Sequence, residues 1–405
     1  MDIVIVANFC GDFSRNDNNR FRYLAKLLSR EHDVELITSD FFHSAKKHRG
    51  EVADPQFDIT LLHEPGYPRN VCLKRFYSHW ILGRNIKKYL ESRKKPDIVY
   101  CAVPSLDAAQ AAADYARKND VFFVLDIQDL WPEAFKVVFR VSGISDLIFA
   151  PMTAVANRIY KQADAVVAVS HTYCRRATAV NAKCGDGCAV FLGTNLSDFD
   201  RFAAEYRVPE KKEGELWLAY CGTLGSNYDL TCVFRALEIL NERGIRPPRF
   251  VVMGDGPQKK EFEACARTKK LDIHFTGRIP YEEMCGLLCS CDITVNPIMR
   301  GSACSITNKH ADYAACGKPV LNTMESEEYR ALVEEYQMGF NCKNADAEDL
   351  AEKLELLLRN PDLRRKMGEN ARRCAEERFD RAKTYHQIRA CIVKAGEEIY
   401  ADSNR

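Results

Sequence analysis

Three turns made of glycine and small polar residues, each after a predicted strand, are the segments of this sequence best suited to bind an anion. They are Cys221–Gly225 (CGTLG), Gly254-Asp255-Gly256-Pro257, and the stretch from Gly301 to Asn308 (GSACSITN). Free backbone N–H groups at such turns, and at the helices that follow, attract phosphate oxygens. Gly-Asp-Gly-Pro alone is weak evidence, because a tight turn that needs glycine explains it better. The set together fits a nucleoside diphosphate.

Charged side chains beside these turns supply the rest of that chemistry. Lys309 or Arg278 could neutralise the charge that builds on a departing diphosphate, and the carboxylate of Asp312 is suited to accept both hydroxyls of a ribose. A surface lysine and a solvated helix residue are the structural alternatives for Lys309 and Asp312, and the sequence leaves both open.

In the first half of the chain, the candidate polar residues follow other predicted strands. Asp129 could orient the hydroxyl of an acceptor, or it could be a loop carboxylate that holds the Trp131-Pro132 turn. Gln128 could donate a hydrogen bond to a sugar but could not act as a base. His43 could bind an acceptor or pack on Phe42.

Length and composition limit the class of protein. The chain has 405 residues, of which 46% are hydrophobic and 28% charged, and its net charge is +1. These values predict two or three globular domains and argue against a nucleic-acid-coating protein. We expect a cytosolic location, since the N-terminus lacks signal-peptide features and no apolar run approaches membrane-spanning length. The 17 cysteines are expected to be thiols, and no metal site is predicted at Cys285, Cys289 and Cys291 because no partner pair follows.

Short β-branched runs alternate with helical patterns, which predicts an α/β fold with two parallel sheets joined by a linker at Arg207–Glu215. Because ligands bind at the carboxyl ends of parallel strands, the sequence places a cleft there. The predicted strands are Asp2–Ala7, Asp33–Thr38, Phe57–Leu62, Asp97–Ala102, Val121–Asp126, Asp164–Val169, Ala189–Leu192, Leu216–Cys221, Arg249–Met253, Asp272–Thr276, Asp292–Asn296 and Pro319–Thr323.

The ordered motifs resemble those of the family 4 glycosyltransferases, in particular those of capsule and O-antigen assembly. In the second half these are the glycine turn at Gly222, Gly-Asp-Gly-Pro, Phe275–Pro280 (FTGRIP), and Asn308–Val320 (NKHADYAACGKPV). The first half adds Asp126–Glu133 (DIQDLWPE), Thr38–Lys46 and Tyr67–Val71. The resemblance covers nearly the whole chain.

This resemblance implies a GT-B architecture, in which two Rossmann-like domains face a cleft. Residues 1–206 would bind the acceptor, residues 216–380 the nucleotide sugar, and a helix in 381–405 would cross back to the first domain. The implied donor-binding residues are Gly222, Thr223, Gly254, Arg278, Ile279, Ser302, Ala303, Cys304, Ser305, Asn308 and Asp312. The implied catalytic residues are Lys309, Asp129 and Gln128, and the implied acceptor-binding residues are His43 and Asn70.

By the same resemblance, the reaction would retain anomeric configuration, need no metal or other cofactor, and use a nucleotide-sugar donor, most simply a UDP-sugar. The acceptor would be a glycolipid or oligosaccharide, and no nucleic acid is expected. The basic and aromatic segment Arg69–Lys95 would then contact the inner face of the cell membrane, or else form an ordinary amphipathic helix. Cys304 stands where the family has an acidic residue. A nucleotide-sugar epimerase and a catalytically silent transferase subunit remain as alternatives.

Overall fold

The computed structural model describes residues 1–11, 13, 18–70, 72–138, 144–206, 211–302 and 306–403. The chain forms two compact units, one made of Met1–Phe191 with Tyr385–Arg405 and the other of Leu192–Thr384. Each unit contains a parallel β-sheet with helices in the connections between its strands. The predicted α/β class with two Rossmann-like domains is therefore confirmed.

The first unit has a seven-stranded sheet in the order β5-β2-β1-β6-β7-β8-β9, with every pair parallel. Its strands are β1 Asp2–Val6, β2 Asp33–Ser39, β5 Asp58–Leu62, β6 Ile98–Val103, β7 Phe122–Ile127, β8 Ala165–Ala168 and β9 Cys188–Ala189, and a small antiparallel hairpin consists of β3 Phe41–Phe42 and β4 Lys47–His48. Its first helices are α1 Arg20–Leu28, α2 Leu73–Ser92, α3 Leu106–Asn119, α4 Glu133–Val138, α5 Ile144–Gln162 and α6 His171–Thr178.

The second unit has a six-stranded parallel sheet in the order β12-β11-β10-β13-β14-β15. Its strands are β10 Trp217–Cys221, β11 Arg249–Met253, β12 Ile273–Gly277, β13 Ile293–Asn296, β14 Val320–Asn322 and β15 Gly339–Asn341. Its helices are α7 Leu196–Glu205, α8 Leu230–Glu242, α9 Lys259–Thr268, α10 Tyr281–Ser290, α11 Asn308–Ala315, α12 Glu327–Tyr336, α13 Ala347–Arg359, α14 Pro361–Cys374 and α15 Arg381–Thr384.

In both sheets the strand order reverses beside the first strand, between β1 and β6 in one unit and between β10 and β13 in the other. Ligands of such sheets bind at this switch point, at the carboxyl ends of the strands. Apart from their first residues, the central strands β1, β6, β7, β11 and β13 are buried on both faces, and they are rich in Val and Ile, which is typical of parallel sheets covered by helices. The fold thus gives each unit one edge suited to binding.

The last helix, α16 His386–Ser403, packs in the first unit. Tyr385 and Ile388 are fully buried in that unit's core. Arg20 is also buried there: its Nε donates to Asp126 Oδ2 at 2.8 Å and its Nη1 to the hydroxyl of Tyr385 at 3.2 Å. Burial costs the guanidinium solvation, but the carboxylate of Asp126 holds the pKa of Arg20 above its ordinary value.

The division into units differs from the predicted ranges. Residues 192–206, predicted for the first domain, lie in the second unit because α7 packs on α10, with the rings of Phe202 and Tyr281 6.2 Å apart. The compact units therefore divide at Leu192 rather than at the predicted linker, of which residues 207–210 lie outside the described part. Among the described residues, no helix combines the length and the apolar character needed to span a bilayer.

Candidate functional site

The two glycine turns of the second unit touch each other at the carboxyl edge of its sheet. Gly222 follows β10 and Gly254 follows β11, with φ of +142° and +157°. A Cβ on Gly254 would lie 1.8 Å from the carbonyl oxygen of Gly222, and one on Gly256 would lie 2.3 Å from that of Leu224. These positions therefore require glycine to fit together, which is the structural explanation that the sequence favoured for Gly-Asp-Gly-Pro taken alone.

Lys309 lies beside the first of these turns. It is in the first turn of α11 and only 9% exposed. Its Nζ lies 3.7 Å from the ring centroid of Tyr228 and 5.3 Å from that of Tyr220, and a Cβ on Gly222 would be 3.8 Å from it. The electron-rich faces of aromatic rings attract a cation in this position. The structure thus brings together the predicted lysine and the predicted glycine turn.

The start of α11 is fixed by a residue that the sequence analysis missed. His310 is fully buried, and its Nδ1 accepts the backbone N–H of Thr307 at 2.9 Å. Burial, reinforced by the neighbouring charge of Lys309, lowers the pKa of His310 to about 3, so its ring is neutral. A Thr three residues before a His was the available signal, because the pair forms a variant of the capping box.

Asp312 lies one turn further along α11, where it is 5% exposed. Its Oδ1 accepts the hydroxyl of Tyr281 at 2.8 Å, and that hydroxyl lies 2.9 Å from Oγ1 of Thr194. Burial raises the pKa of Asp312 to about 6, although Tyr281 and the nearby charge of Arg381 oppose the shift. Asp312 therefore joins α11 to α10, and its predicted contact with a ribose remains a prediction.

The remaining predicted donor residues are distributed around the same edge. Arg278 is exposed and Ile279 half-buried after β12, and Thr223 is exposed after Gly222. The backbone N–H of Ser302 donates to the carbonyl of Met299 at 3.1 Å. Within the described residues, the buried Oδ1 of Asn308 has no hydrogen-bond partner. Ala303, Cys304 and Ser305 lie outside the described residues.

In the first unit, Gln128 and Asp129, the two predicted catalytic residues that follow β7, make hydrogen bonds to neighbouring residues of the protein. Gln128 Nε2 donates to Asp126 Oδ1 at 2.6 Å. Asp129 accepts the N–H of Leu130 at 3.0 Å and Nε1 of Trp131 at 3.3 Å. Burial raises the pKa of Asp129, and these donors only partly oppose it. The contacts of Asp129 are those of a carboxylate that holds the turn at Trp131, the alternative that the sequence left open.

The predicted acceptor residues His43 and Asn70 are brought together by a third residue. Lys46 Nζ lies 3.3 Å from His43 Nδ1 and donates to Asn70 Oδ1 at 2.5 Å. His43 also contacts the hydroxyl of Tyr67, at 2.6 Å. Burial, with smaller contributions from Lys46 and Arg75, lowers the pKa of His43 to about 3, so this ring is neutral as well.

Sequence reasoning missed the aromatic and basic surroundings of these residues. The guanidinium of Arg75, on α2, lies over the rings of Trp131, Tyr67 and Phe9 at 4.8, 5.5 and 5.7 Å. His79 is fully buried and stacks on Trp131 with ring centroids 5.8 Å apart. The contributing segments are 122 residues apart at the extremes, from Phe9 to Trp131, so no local pattern could reveal the cluster.

One group of side chains in the described part of the chain has the spacing of metal ligands. Asp40, His48 and His63 bring their ligand atoms within 4.8 Å of one another, and the His63 Nδ1 to Asp40 Oδ2 distance is 2.9 Å. Both histidines are exposed. Among the residues that the structure describes, the cysteines considered as metal ligands belong to no such group, and Cys285 and Cys291 are buried free thiols.

Two family models match successive parts of the chain. The model of Glycosyltransferase Family 4 matches residues 18–182, and the model of Glycosyl transferases group 1 matches residues 202–374. The first match falls in the first unit and the second match falls in the second unit.

Individual relatives are distant. An uncharacterized glycosyltransferase of Methanocaldococcus jannaschii, MJ1069, is 23% identical over 58% of this chain and 59% of its own length. The putative glycosyltransferase EpsD of Bacillus subtilis is 22% identical over 83% of this chain and 84% of its own length. The crystal structure of HepE of Anabaena in complex with UDP has a TM-score of 0.68 at 15% identity, covering 97% of this chain and 100% of HepE. At that identity, the structural likeness shows the shared fold alone.

Proposed function

The chain belongs to the family 4 glycosyltransferases, and on that premise we propose that it transfers a hexose or N-acetylhexosamine from a UDP-sugar to a lipid-linked or oligosaccharide acceptor. The transfer would retain the anomeric configuration and serve cell-surface polysaccharide synthesis. The observation that carries the proposal is the position of Lys309 beside the Gly222 turn, where β10 ends and α11 begins. HepE, which shares the fold, was solved with UDP, and this supports the choice of nucleotide.

Charge development explains the proposed roles. When the bond between the sugar and the diphosphate breaks, negative charge grows on the leaving oxygen. The ammonium of Lys309 and the positive end of the helix dipole at the start of α11 would stabilise that charge without a metal ion. The ring of Tyr228, 3.7 Å from the ammonium, holds it in place. Because the leaving group is stabilised electrostatically, the proposed reaction needs no protein nucleophile.

Turnover by Lys309→Ala tests this role. We expect the initial rate of UDP release from a UDP-sugar to fall about 100-fold or more. Lys260→Ala is the matched control, because Lys260 is an exposed lysine of α9 in the same unit, and its rate should remain normal. Proton NMR of the product with a matched acceptor gives the anomeric configuration. A normal rate in Lys309→Ala would contradict the site, and an inverted product would contradict retention.

The same proposal places the protein at the cytoplasmic face of a membrane through α2. Leu73, Tyr77 and Trp80 on this helix are 87%, 54% and 47% exposed, and Lys87 and Lys88 on the same helix are exposed cations. Exposed aromatic and basic residues together favour a lipid surface that carries anionic headgroups. Co-sedimentation with vesicles of anionic lipid should fall in Trp80→Ser and stay unchanged in a variant of an exposed leucine elsewhere, Leu356→Ser.

A further inference from the structure

Two cations of the first unit share one small region at the carboxyl edge of its sheet. Lys46 belongs to the β3–β4 hairpin after β2, and Arg75 to the first turn of α2, which follows β5. Both lie over the ring of Tyr67, with Lys46 Nζ at 4.8 Å and the Arg75 guanidinium carbon at 5.5 Å from its centroid. Asn70 joins them, since its Oδ1 accepts from Lys46 at 2.5 Å and its carbonyl from Arg75 at 2.7 Å.

These cations have only neutral hydrogen-bond partners within the described residues. The two carboxylates that act electrostatically on Arg75 accept hydrogen bonds from other donors: Glu64 accepts the hydroxyl of Ser78 at 2.9 Å, and Asp129 accepts from the turn that follows it. Burial raises the pKa of Glu64 and that of Asp129, and it lowers the pKa of Arg75 although both carboxylates act against that shift. Burial and the charge of Arg75 lower the pKa of Lys46 to about 8. An anion placed between the two cations would relieve this electrostatic cost.

The start of α2 adds to the positive potential. The side chain of its N-cap residue, Cys72, makes no hydrogen bond to the helix. The first turn contains no acidic residue but two basic ones, Lys74 and Arg75. Basic residues at a helix N-terminus are unfavourable alone, because the helix dipole is positive there, whereas an anion at that end is stabilised.

The buried wall of the region contains a polar group with unused capacity. His79 is fully buried, and both of its ring nitrogens have no hydrogen-bond partner within the described residues. Its ring lies 5.8 Å from that of Phe9 and 5.5 Å from that of Tyr67, so it lines the same aromatic cluster as Arg75. A polar ligand entering this cluster would meet a cation and an imidazole that makes no hydrogen bond within the described residues, with Glu64 Oε1 3.8 Å from its Nε2.

The apolar neighbours of Arg75 decide which anion fits. Leu73 and Phe76 lie two residues before and one residue after it on α2, and both are exposed. We infer that Lys46 and Arg75 bind a phosphoryl group of a lipid-linked acceptor, with its hydrocarbon chain along the exposed residues of α2. The inference rests on the proposed transferase function, and it names what the acceptor must carry. His43 and Asn70 would position the two cations for that contact.

Calorimetric titration of the full chain with three probes tests the inference. Farnesyl diphosphate carries both the anion and the chain, inorganic pyrophosphate carries only the anion, and farnesol only the chain. We expect farnesyl diphosphate to bind at least tenfold more tightly than either of the others. Equal affinity for inorganic pyrophosphate would overturn the lipid assignment, and equal affinity for farnesol would overturn the role of the cations.

Two variants assign the binding to residues. Lys46→Gln and Arg75→Gln should each weaken farnesyl diphosphate about tenfold, since each removes a charge-assisted hydrogen bond. Lys161→Gln, a change of an exposed lysine on α5 in the same unit, should leave the affinity unchanged. Wild-type affinity in both cation variants would overturn the inference.

Binding of UDP, measured on the same preparations, separates this inference from the proposed function. Normal UDP binding in Lys46→Gln and Arg75→Gln shows that these variants are folded. If UDP binds normally but the variants bind farnesyl diphosphate as tightly as the wild type does, only the acceptor assignment fails. If no UDP-sugar binds the wild type, the proposed function fails instead.

Discussion

The carboxyl edges of the two sheets carry different kinds of chemistry, although both strand orders reverse beside the first strand. In the second unit the edge is built from backbone, with the Gly222 and Gly254 turns in contact and one lysine beside them. In the first unit it is built from side chains, with Arg75 and Lys46 surrounded by aromatic rings. A backbone site suits a diphosphate, which any N–H can bind, whereas a side-chain site can select one acceptor.

The largest effect is expected from adding a side chain at the backbone edge of the second unit. Gly254→Ala places a Cβ 1.8 Å from the carbonyl oxygen of Gly222, and the free energy of unfolding should fall by about 5 kcal/mol or more. Gly244→Ala is the control, because Gly244 also has a positive φ but no atom within 4 Å of the added Cβ. It should cost only about 1–2 kcal/mol. Urea denaturation followed by circular dichroism measures both, and equal losses would show that the turn contact is unimportant.

The first unit should instead be most sensitive to the loss of a side chain. Arg20→Met leaves the carboxylate of Asp126 buried without its cation, so we expect the free energy of unfolding to fall by about 3–4 kcal/mol. Arg30→Met is the control, because Arg30 is exposed and lies just after α1, the helix that begins at Arg20. It should change the free energy of unfolding by less than about 0.5 kcal/mol. Thermal melting of both variants provides the comparison. A small effect of Arg20→Met would mean that the backbone, not the ion pair, holds this edge.

A smaller and pH-dependent effect is expected at Asp312. Its folded pKa of about 6 lies above the value of about 4 in an unfolded chain. Between pH 4 and pH 6 the folded state therefore binds the proton more tightly, and this group makes stability fall as the pH rises through that window. Asp312→Asn, which can still accept from Tyr281, should be about 2 kcal/mol more stable than wild type at pH 8 and equally stable at pH 4.

Melting curves at the two pH values test this. A variant that is less stable than wild type at pH 8 would show that the charged carboxylate is stabilised in the fold, for instance by Arg381. A variant that is more stable than wild type at pH 8 is the expected result, because a buried carboxylate that serves binding lowers the stability of the fold.

The sequence predicted the features that consecutive residues form, and it missed those that depend on distant residues or very short elements. The strand pattern predicted the α/β class, and the glycine turns were visible because each lies within a few consecutive residues. The three-residue strand Gly339–Asn341 and the hairpin at Phe41–Phe42 were missed because they are too short for a periodic signal. The division at Leu192 depends on the packing of α7 on α10, and the cluster at Arg75 on distant segments, so the sequence could reveal neither.

Hydrogen–deuterium exchange of the full chain with and without UDP tests whether the backbone edge of the second unit binds the nucleotide. We expect UDP to slow exchange in peptides that contain Gly222 and the first turn of α11, while peptides of the β3–β4 hairpin exchange as before. Protection confined to the first unit, or none at saturating UDP, would contradict it.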